Sequence, residues 1–289
     1  MKIIVNGLTF AYGSRGVLQI KGAEFKEGKA YGIVGKNGVG KTTFFKCITN
    51  IIASYSGQIM IDGLDVKTNL SVLKNVGIVL DDMSLYNNRT GMFNLRYFAG
   101  LRGEFDIEHI LDLARELELD SYLDIIVDKY SLGMKKKMQL LVSLMNNAEV
   151  LIFDEPFRGL DATTVEWFRN YLNDLKSRGR TILISSHVQE DIESVSDYVC
   201  VMHRGDFVNT FDLKDMTQNF IYTVEVDNRD VFLRLLESAG IPYSTKKYIQ
   251  FAVDVNTYNS IFKQAVAQDV AFLQVRRDAM FADHLSKRN

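Results

Sequence analysis

The chain has 289 residues, 47% of them hydrophobic, two cysteines, a formal charge of -2 and a pI of about 6.1. That length fits one large domain, or one domain with a small appendix, and the apolar share supplies a sizeable core. The near-neutral balance argues against a mainly nucleic-acid-binding surface, and no apolar run approaches the ~18 residues that span a bilayer. Met1–Gly7 is a short strand and turn, too polar for a secretory leader, so no signal peptide is expected. Cys47 and Cys200 sit in apolar stretches and read as small buried hydrophobes of a reducing compartment, not as a disulfide or metal pair.

In chain order, residues 1 to 30 alternate apolar and polar in short runs broken by glycines, the pattern of an antiparallel β layer. Tyr12 at the end of one run reads either as an ordinary strand residue or as a stacking surface for a purine. Ala30–Val34 is a short buried strand. Directly after it come Gly35, Lys36, Asn37, Gly38, Val39, Gly40, Lys41, Thr42 and Thr43, which match G-x-x-x-x-G-K-[ST] at every fixed position. A helix is expected from Lys41 to Ile52, with Phe44, Phe45, Ile48, Ile51 and Ile52 forming its apolar face. Glycines let backbone N–H groups close round a polyphosphate, and the helix N-terminus adds donors and a positive dipole end. Lys41 is expected to reach the β- and γ-phosphates and the Thr42 hydroxyl to ligate Mg²⁺.

Next come a strand over Gly57–Ile61, closed by an Asp62-Gly63 turn, and a buried strand over Val76–Leu80 that ends in Asp81-Asp82. From about 84 to 140 helical periodicity replaces strands, in Met92–Leu101, Ile107–Leu119 and again after Ser131, so a helical subdomain is expected within an α/β domain. Taken alone, Tyr130–Lys137 reads as a helix capped by Ser131, with a solvated lysine face and Gly133 permitting close approach. Val150–Phe153 is a fully buried strand that delivers Asp154 and Glu155 at its C-terminal end, where open α/β sheets bind ligands. There Asp154 is placed to hold Mg²⁺ and Glu155 to act as general base. Arg180–Ser186 is another buried strand, parallel to that one, and it brings His187 to the same edge, where a γ-phosphate can be sensed. Tyr198–Met202 and Phe207–Phe211 close the domain near residue 215.

Residues 216–289 carry a different pattern. Strands are expected at Phe220–Val226, Tyr248–Asp254 and Ala271–Val275, and helices at Arg229–Ala239, Thr257–Gln268 and Asp278–Lys287. This is a small α+β appendix of ferredoxin-like kind, without a chemical motif.

The order of P-loop, Ser-x-Gly helix start, Asp-Glu strand end, Gly159-Leu160-Asp161 loop and strand-His resembles the ATP-binding subunit of an ABC transporter, of exporter or drug- and bacteriocin-resistance type. The resemblance spans roughly residues 1 to 215. Tyr130–Lys137 resembles the Leu-Ser-Gly-Gly-Gln signature, with Ser131 and Gly133 matching and Tyr130, Leu132 and Met134 departing. It implies that Tyr12 stacks on adenine, that Ser131, Gly133 and Met134 cap the γ-phosphate held by a second copy, and that Asp161 touches that copy. His187 takes the switch position. Asp81 stands where the family has a glutamine that couples Mg²⁺ and the γ-phosphate to the membrane subunit; it is a hard oxygen ligand but, when ionised, no donor. Phe157 and Arg158 replace smaller polar residues.

The resemblance further implies a Mg²⁺-dependent ATPase whose head-to-tail dimer closes on ATP and opens on hydrolysis. Its expected partners are separate polytopic membrane subunits and a second copy or a related ATPase subunit, with no nucleic acid, at the cytoplasmic face of the cell membrane. The competing reading is a soluble ABC-type ATPase of DNA repair or translation. Repair members insert coiled-coil arms, and no sustained heptads lie between Lys41 and Ser131. Translation members carry two ATP-binding domains, and here there is one P-loop and one signature. A module that binds ATP without turnover is disfavoured by the presence of both Glu155 and His187.

Overall fold

A computed structural model of the chain describes residues 1–279 apart from 82, 103–105, 217–218 and 246. Residues up to Thr210 form one compact unit and those from Phe211 a second, against a boundary expected at residue 215.

In the first unit, β1 (Ile3–Tyr12) and β2 (Arg15–Phe25) form an antiparallel hairpin whose turn sets Tyr12 directly opposite Arg15. Next, β3 (Ala30–Val34) runs into the glycine-rich loop and α1 (Lys41–Ile48). This helix is a turn shorter than expected. Asn50 takes a left-handed φ of 55°, and the Ile52 amide bonds back to the Lys46 carbonyl at 3.0 Å, which closes the C-terminus. Ile51, expected on the apolar face, is exposed. The antiparallel layer is completed by β4 (Ser56–Ile61) and β5 (Leu64–Asp65), in the order β2-β1-β4-β5.

The chain then gives β6 (Val76–Val79) and a helical segment of α2 (Gly91–Arg102), α3 (Ile107–Glu116) and α4 (Leu132–Leu144). After it come β7 (Val150–Asp154), α5 (Ala162–Ser177), β8 (Thr181–Ser185), α6 (Gln189–Val195), β9 (Tyr198–His203) and β10 (Asp206–Asp212). A second sheet of the unit has the order β10-β9-β3-β8-β7-β6. Every residue of β3, β7 and β8 is buried, as expected of parallel strands covered on both faces. β8 pairs in parallel with both β3 and β7, so these three strands end side by side. The α/β expectation, with its antiparallel layer and helical subdomain, holds.

Phe25, Phe44 and Phe45 lie in the cluster between the two sheets, each at most 1% exposed. Burying each is worth roughly 1.5–3 kcal/mol, which fixes α1 and therefore the glycine-rich loop at its N-terminus.

The second unit begins with α7 (Leu213–Met216) and continues through β11 (Asn219–Val226), α8 (Arg229–Ser238), β12 (Tyr243–Thr245), β13 (Ile249–Asp254), α9 (Val255–Val266) and β14 (Phe272–Ala279). The sheet order β12-β13-β11-β14 and the antiparallel pairings make it a split βαβ fold of the expected ferredoxin-like kind. Tyr222, Val224 and Val226 of β11 share one face of the sheet with Ile249, Phe251 and Val253 of β13, Tyr222 opposite Phe251 and Val224 opposite Ile249, in one core with Phe232, Leu236, Ile261 and Ala265 of the two helices. The short β12 was not expected. Asp278, the expected start of a closing helix, continues β14, and the helix as far as Lys287 lies outside the described residues.

Candidate functional site

The C-terminal ends of β3, β8 and β7 face one cavity of about 710 Å³. Asn37, Gly38, Gly40, Lys41, Thr42 and Thr43 line it from the loop and α1. Asp154 and Glu155 line it from β7, His187 from β8, Tyr12 from β1, and Asp81 from the segment after β6.

Each side chain is held by its own element. Gly40 has φ 118°, a conformation an L side chain resists, and its carbonyl starts α1 by accepting the Phe44 amide at 2.8 Å. The Lys41 ammonium is buried and donates to the Gly35 carbonyl at 2.7 Å. Burial lowers its pKa, while Glu155 and Asp154 act in the opposite direction. Gly35, Lys36 and Val39 shape the loop without lining the cavity: Gly35 accepts Lys41, and the Val39 amide closes a turn on the Lys36 carbonyl at 3.2 Å.

Asp154 is 1% exposed, and both of its oxygens are engaged. Thr42 Oγ1 donates to Oδ2, and Ser185 Oγ donates to Oδ1 at 2.5 Å. Glu155 adopts φ 50°, rare for a residue with a side chain, and its amide donates to Ser185 at 3.1 Å. That turn aims its carboxylate at His187, with Nδ1 2.8 Å from Oε2. Ser186, next to His187, is bonded to the buried Asp191 at 2.8 Å, and Arg169 in turn reaches Asp191 at 2.7 Å and Glu190 at 2.8 Å.

Asp81 is paired with two cations: Oδ1 is 3.4 Å from Lys136 Nζ and Oδ2 is 3.2 Å from Arg158 Nη1. Asp82 lies outside the described residues. Arg15, Val17 and Arg158 also line the cavity and were not expected there. The hairpin register that pairs Tyr12 with Arg15 was the available signal for the first.

Ser131, Gly133, Met134 and Asp161 are not in this cavity. Ser131 is exposed and caps α4, accepting the Met134 amide at 3.2 Å. Asp161 caps α5, accepting the Thr164 amide at 2.8 Å, and lies 3.5 Å from Lys137 of α4. The lysine face expected to be solvated is largely covered: Lys136 and Lys137 keep side-chain exposures of 9% and 12%. Their ammonium groups find carboxylates across the fold, a partnership that helical spacing does not encode.

Residues 19–158 match the ABC transporter family. Across 241 residues the chain is 32% identical to the bacitracin transport ATP-binding protein BcrA of Enterococcus faecalis, covering 82% of this chain and 78% of that one. The chain belongs to the ABC transporter ATP-binding family. It is 30% identical to the lantibiotic transport ATP-binding protein SrtF of Streptococcus pyogenes over 71% of its own length and 88% of that protein's. A solved structure titled as the ATP-binding subunit of an ABC transporter superposes with a TM-score of 0.68 at 26% identity, covering 75% of this chain and 92% of that one. As an ABC subunit, the chain is an ATPase coupled to transport. Among the described residues, no helix is long and apolar enough to cross a membrane.

Proposed function

We propose that this chain hydrolyses ATP in the cavity at the ends of β3, β8 and β7 and thereby powers a membrane exporter. The observation that carries the reading is the 2.8 Å contact between His187 and Glu155 in the cavity that also holds Lys41, Thr42 and Asp154. Loop amides and Lys41 bind the polyphosphate, and Tyr12, exposed at the rim, stacks on adenine. Glu155 takes the proton of the attacking water, and His187 holds Glu155 in position and reaches the γ-phosphate.

Thr42 and Asp154 bring two hard oxygen donors together at the N-terminus of α1, a set that suits Mg²⁺. Among the described residues, no three His, Cys, Asp or Glu side chains gather as a metal cage, which fits an ion ligated mostly by water and phosphate oxygens. Bound Mg²⁺ would offset the charge on the transferring phosphoryl group. Asp81, which lines the same cavity, would add a third oxygen donor while it also faces Lys136 and Arg158.

The Ser131–Met134 turn, exposed at Ser131 and Leu132, lies outside its own cavity, as a head-to-tail dimer requires: there it caps the γ-phosphate of the second copy, with Asp161 beside it. Tyr86, Phe93 and Tyr97 form an exposed aromatic cluster on the helical segment, with Arg89 5.2 Å from the Phe93 ring centroid. The relatives named as transport ATP-binding proteins support separate membrane subunits as partners, and this cluster is their docking surface, with the chain at the cytoplasmic face of the membrane. The transport of bacitracin and of lantibiotics named for the relatives supports export over a soluble ATPase of DNA repair or translation.

Glu155→Gln tests the reading. It removes the base while keeping shape, so hydrolysis is expected to fall by about 10²–10⁴-fold with ATP still bound. The variant is expected to run as an ATP-dependent dimer in size-exclusion chromatography, and adding Ser131→Arg to dissolve that dimer. Turnover at the wild-type rate would remove Glu155 as the base. Undiminished dimerisation of the double variant would remove Ser131 from the interface.

A further inference from the structure

Three charged side chains from separate segments meet at the edge of the cavity. Asp81, just past β6, faces Lys136 Nζ at 3.4 Å and Arg158 Nη1 at 3.2 Å. Asp81 and Arg158 line the cavity, whereas Lys136 lies in the second turn of α4 behind it. α4 grips the same segment again one turn later, where Gln139 Nε2 donates to the Met83 carbonyl at 2.6 Å. Arg158 sits in a tight turn after β7, its amide bonded to the Glu155 carbonyl at 3.3 Å, so it lies a single turn from the candidate base. None of the roles proposed for the other cavity residues uses the guanidinium.

The two ion pairs differ in how readily they open. Lys136 has a side-chain exposure of 9%, and losing Asp81 would strand an ammonium in a low-dielectric surrounding. Arg158 has a side-chain exposure of 67%, and its pair with Asp81 is solvated and screened. A nucleoside triphosphate presents more charge than one carboxylate, with oxygens spaced for the planar guanidinium fork. The exposed pair therefore yields and the buried one stays.

We propose that Arg158 is a γ-phosphate-binding residue that Asp81 restrains until nucleotide enters, with Lys136 as the buried anchor that keeps Asp81 facing the cavity. This rests on the reading of the cavity as an ATP site with Glu155 beside the γ-phosphate. It makes Arg158 a residue that distinguishes ATP from ADP, and it makes Asp81 a competitor for Arg158 before it is a ligand of metal.

The test is a double-mutant cycle on the full chain, reading dissociation constants for ADP and for a non-hydrolysable ATP analogue, both with Mg²⁺, by calorimetry. Arg158→Ala is expected to weaken the ATP analogue about tenfold, the lower range for a hydrogen bond to a charged group, and to leave ADP unchanged. Asp81→Asn is expected to tighten the ATP analogue by about twofold to fivefold, the worth of a released exposed pair. In the Arg158→Ala background that gain is expected to vanish. Because Asp81→Asn strands the Lys136 ammonium, Asp81→Asn/Lys136→Met supplies the folded control and is expected to show the same gain.

Equal loss of ATP analogue and ADP in Arg158→Ala would overturn the proposal. So would an Asp81→Asn gain that persists without Arg158. Weakened binding in Asp81→Asn that scales with Mg²⁺ would assign Asp81 to the metal and also overturn it. Lys41→Ala separates the two readings: if it binds nucleotide like the wild type, the ATP assignment of the cavity falls. If it loses binding while Arg158→Ala changes nothing, only the role of Arg158 falls.

Discussion

Tyr130 stands where the family resemblance places a leucine, and the surrounding residues accommodate its hydroxyl. The ring is buried, and the hydroxyl donates to the Tyr122 carbonyl at 2.7 Å. Burial pushes its pKa up to about 12, so it remains a donor at neutral pH. Opposite it is Gly91, where a methyl group would come within 2.4 Å of the phenolic oxygen. Tyr130→Phe is expected to lower stability by about 0.5–1.5 kcal/mol, the net worth of one hydrogen bond. Gly91→Ala should cost more in the wild type than in the Tyr130→Phe background, as read from urea midpoints. Equal costs would mean that the hydroxyl does not set the limit at Gly91. At this scale the sequence is legible where chemistry is contiguous, as in Gly35–Thr43 or Asp154-Glu155. It is silent where partners are remote: nothing local announces that Asp81 faces Lys136, 55 residues away.

Helix caps operate at the next scale. Asp161 accepts the Thr164 amide and hydroxyl at the start of α5, and those bonds, with Lys137 behind them, hold its carboxyl below the usual range. A carboxyl depressed on folding stabilises above its unfolded pKa, near 4, and loses that contribution as pH falls through the lower folded value. Asp161→Ala is therefore expected to cost about 1 kcal/mol at neutral pH, and the gap between wild type and variant to close on acidification below about pH 4. Thermal melts across that range measure it, and a gap independent of pH would deny the carboxylate its role as the cap. Elements with strong periodicity are readable without the fold. The discrepancies have local causes: α1 stops where Asn50 turns left-handed, and β12 is a three-residue strand too short to alternate visibly.

Across the molecule, the order of motifs along the chain foretold the α/β core, but not the spatial order of strands that sets β3, β8 and β7 side by side. The second unit has its own apolar core, so its two helices and three longer strands were visible without reference to the first, and only the short β12 was missed. Within the first unit, the helical segment also touches the remainder through side chains that no motif contains. Trp167 of α5 is one of them: its indole donates to Glu116 of α3 at 2.8 Å while its ring stacks on Tyr171 at 5.1 Å. It is also the chain's single tryptophan. Excited at the red edge, where tyrosine no longer absorbs, the unlabelled protein thus emits from one chromophore clamped between two helices, and its wavelength depends on whether α3 keeps hold. Glu116→Gln should shift that emission in the absence of any nucleotide, and ATP should shift the wild type in the same direction if closure draws the segment away. An emission unchanged by ATP would show that the two helices travel as one piece, making the protein its own optical strain gauge in either case.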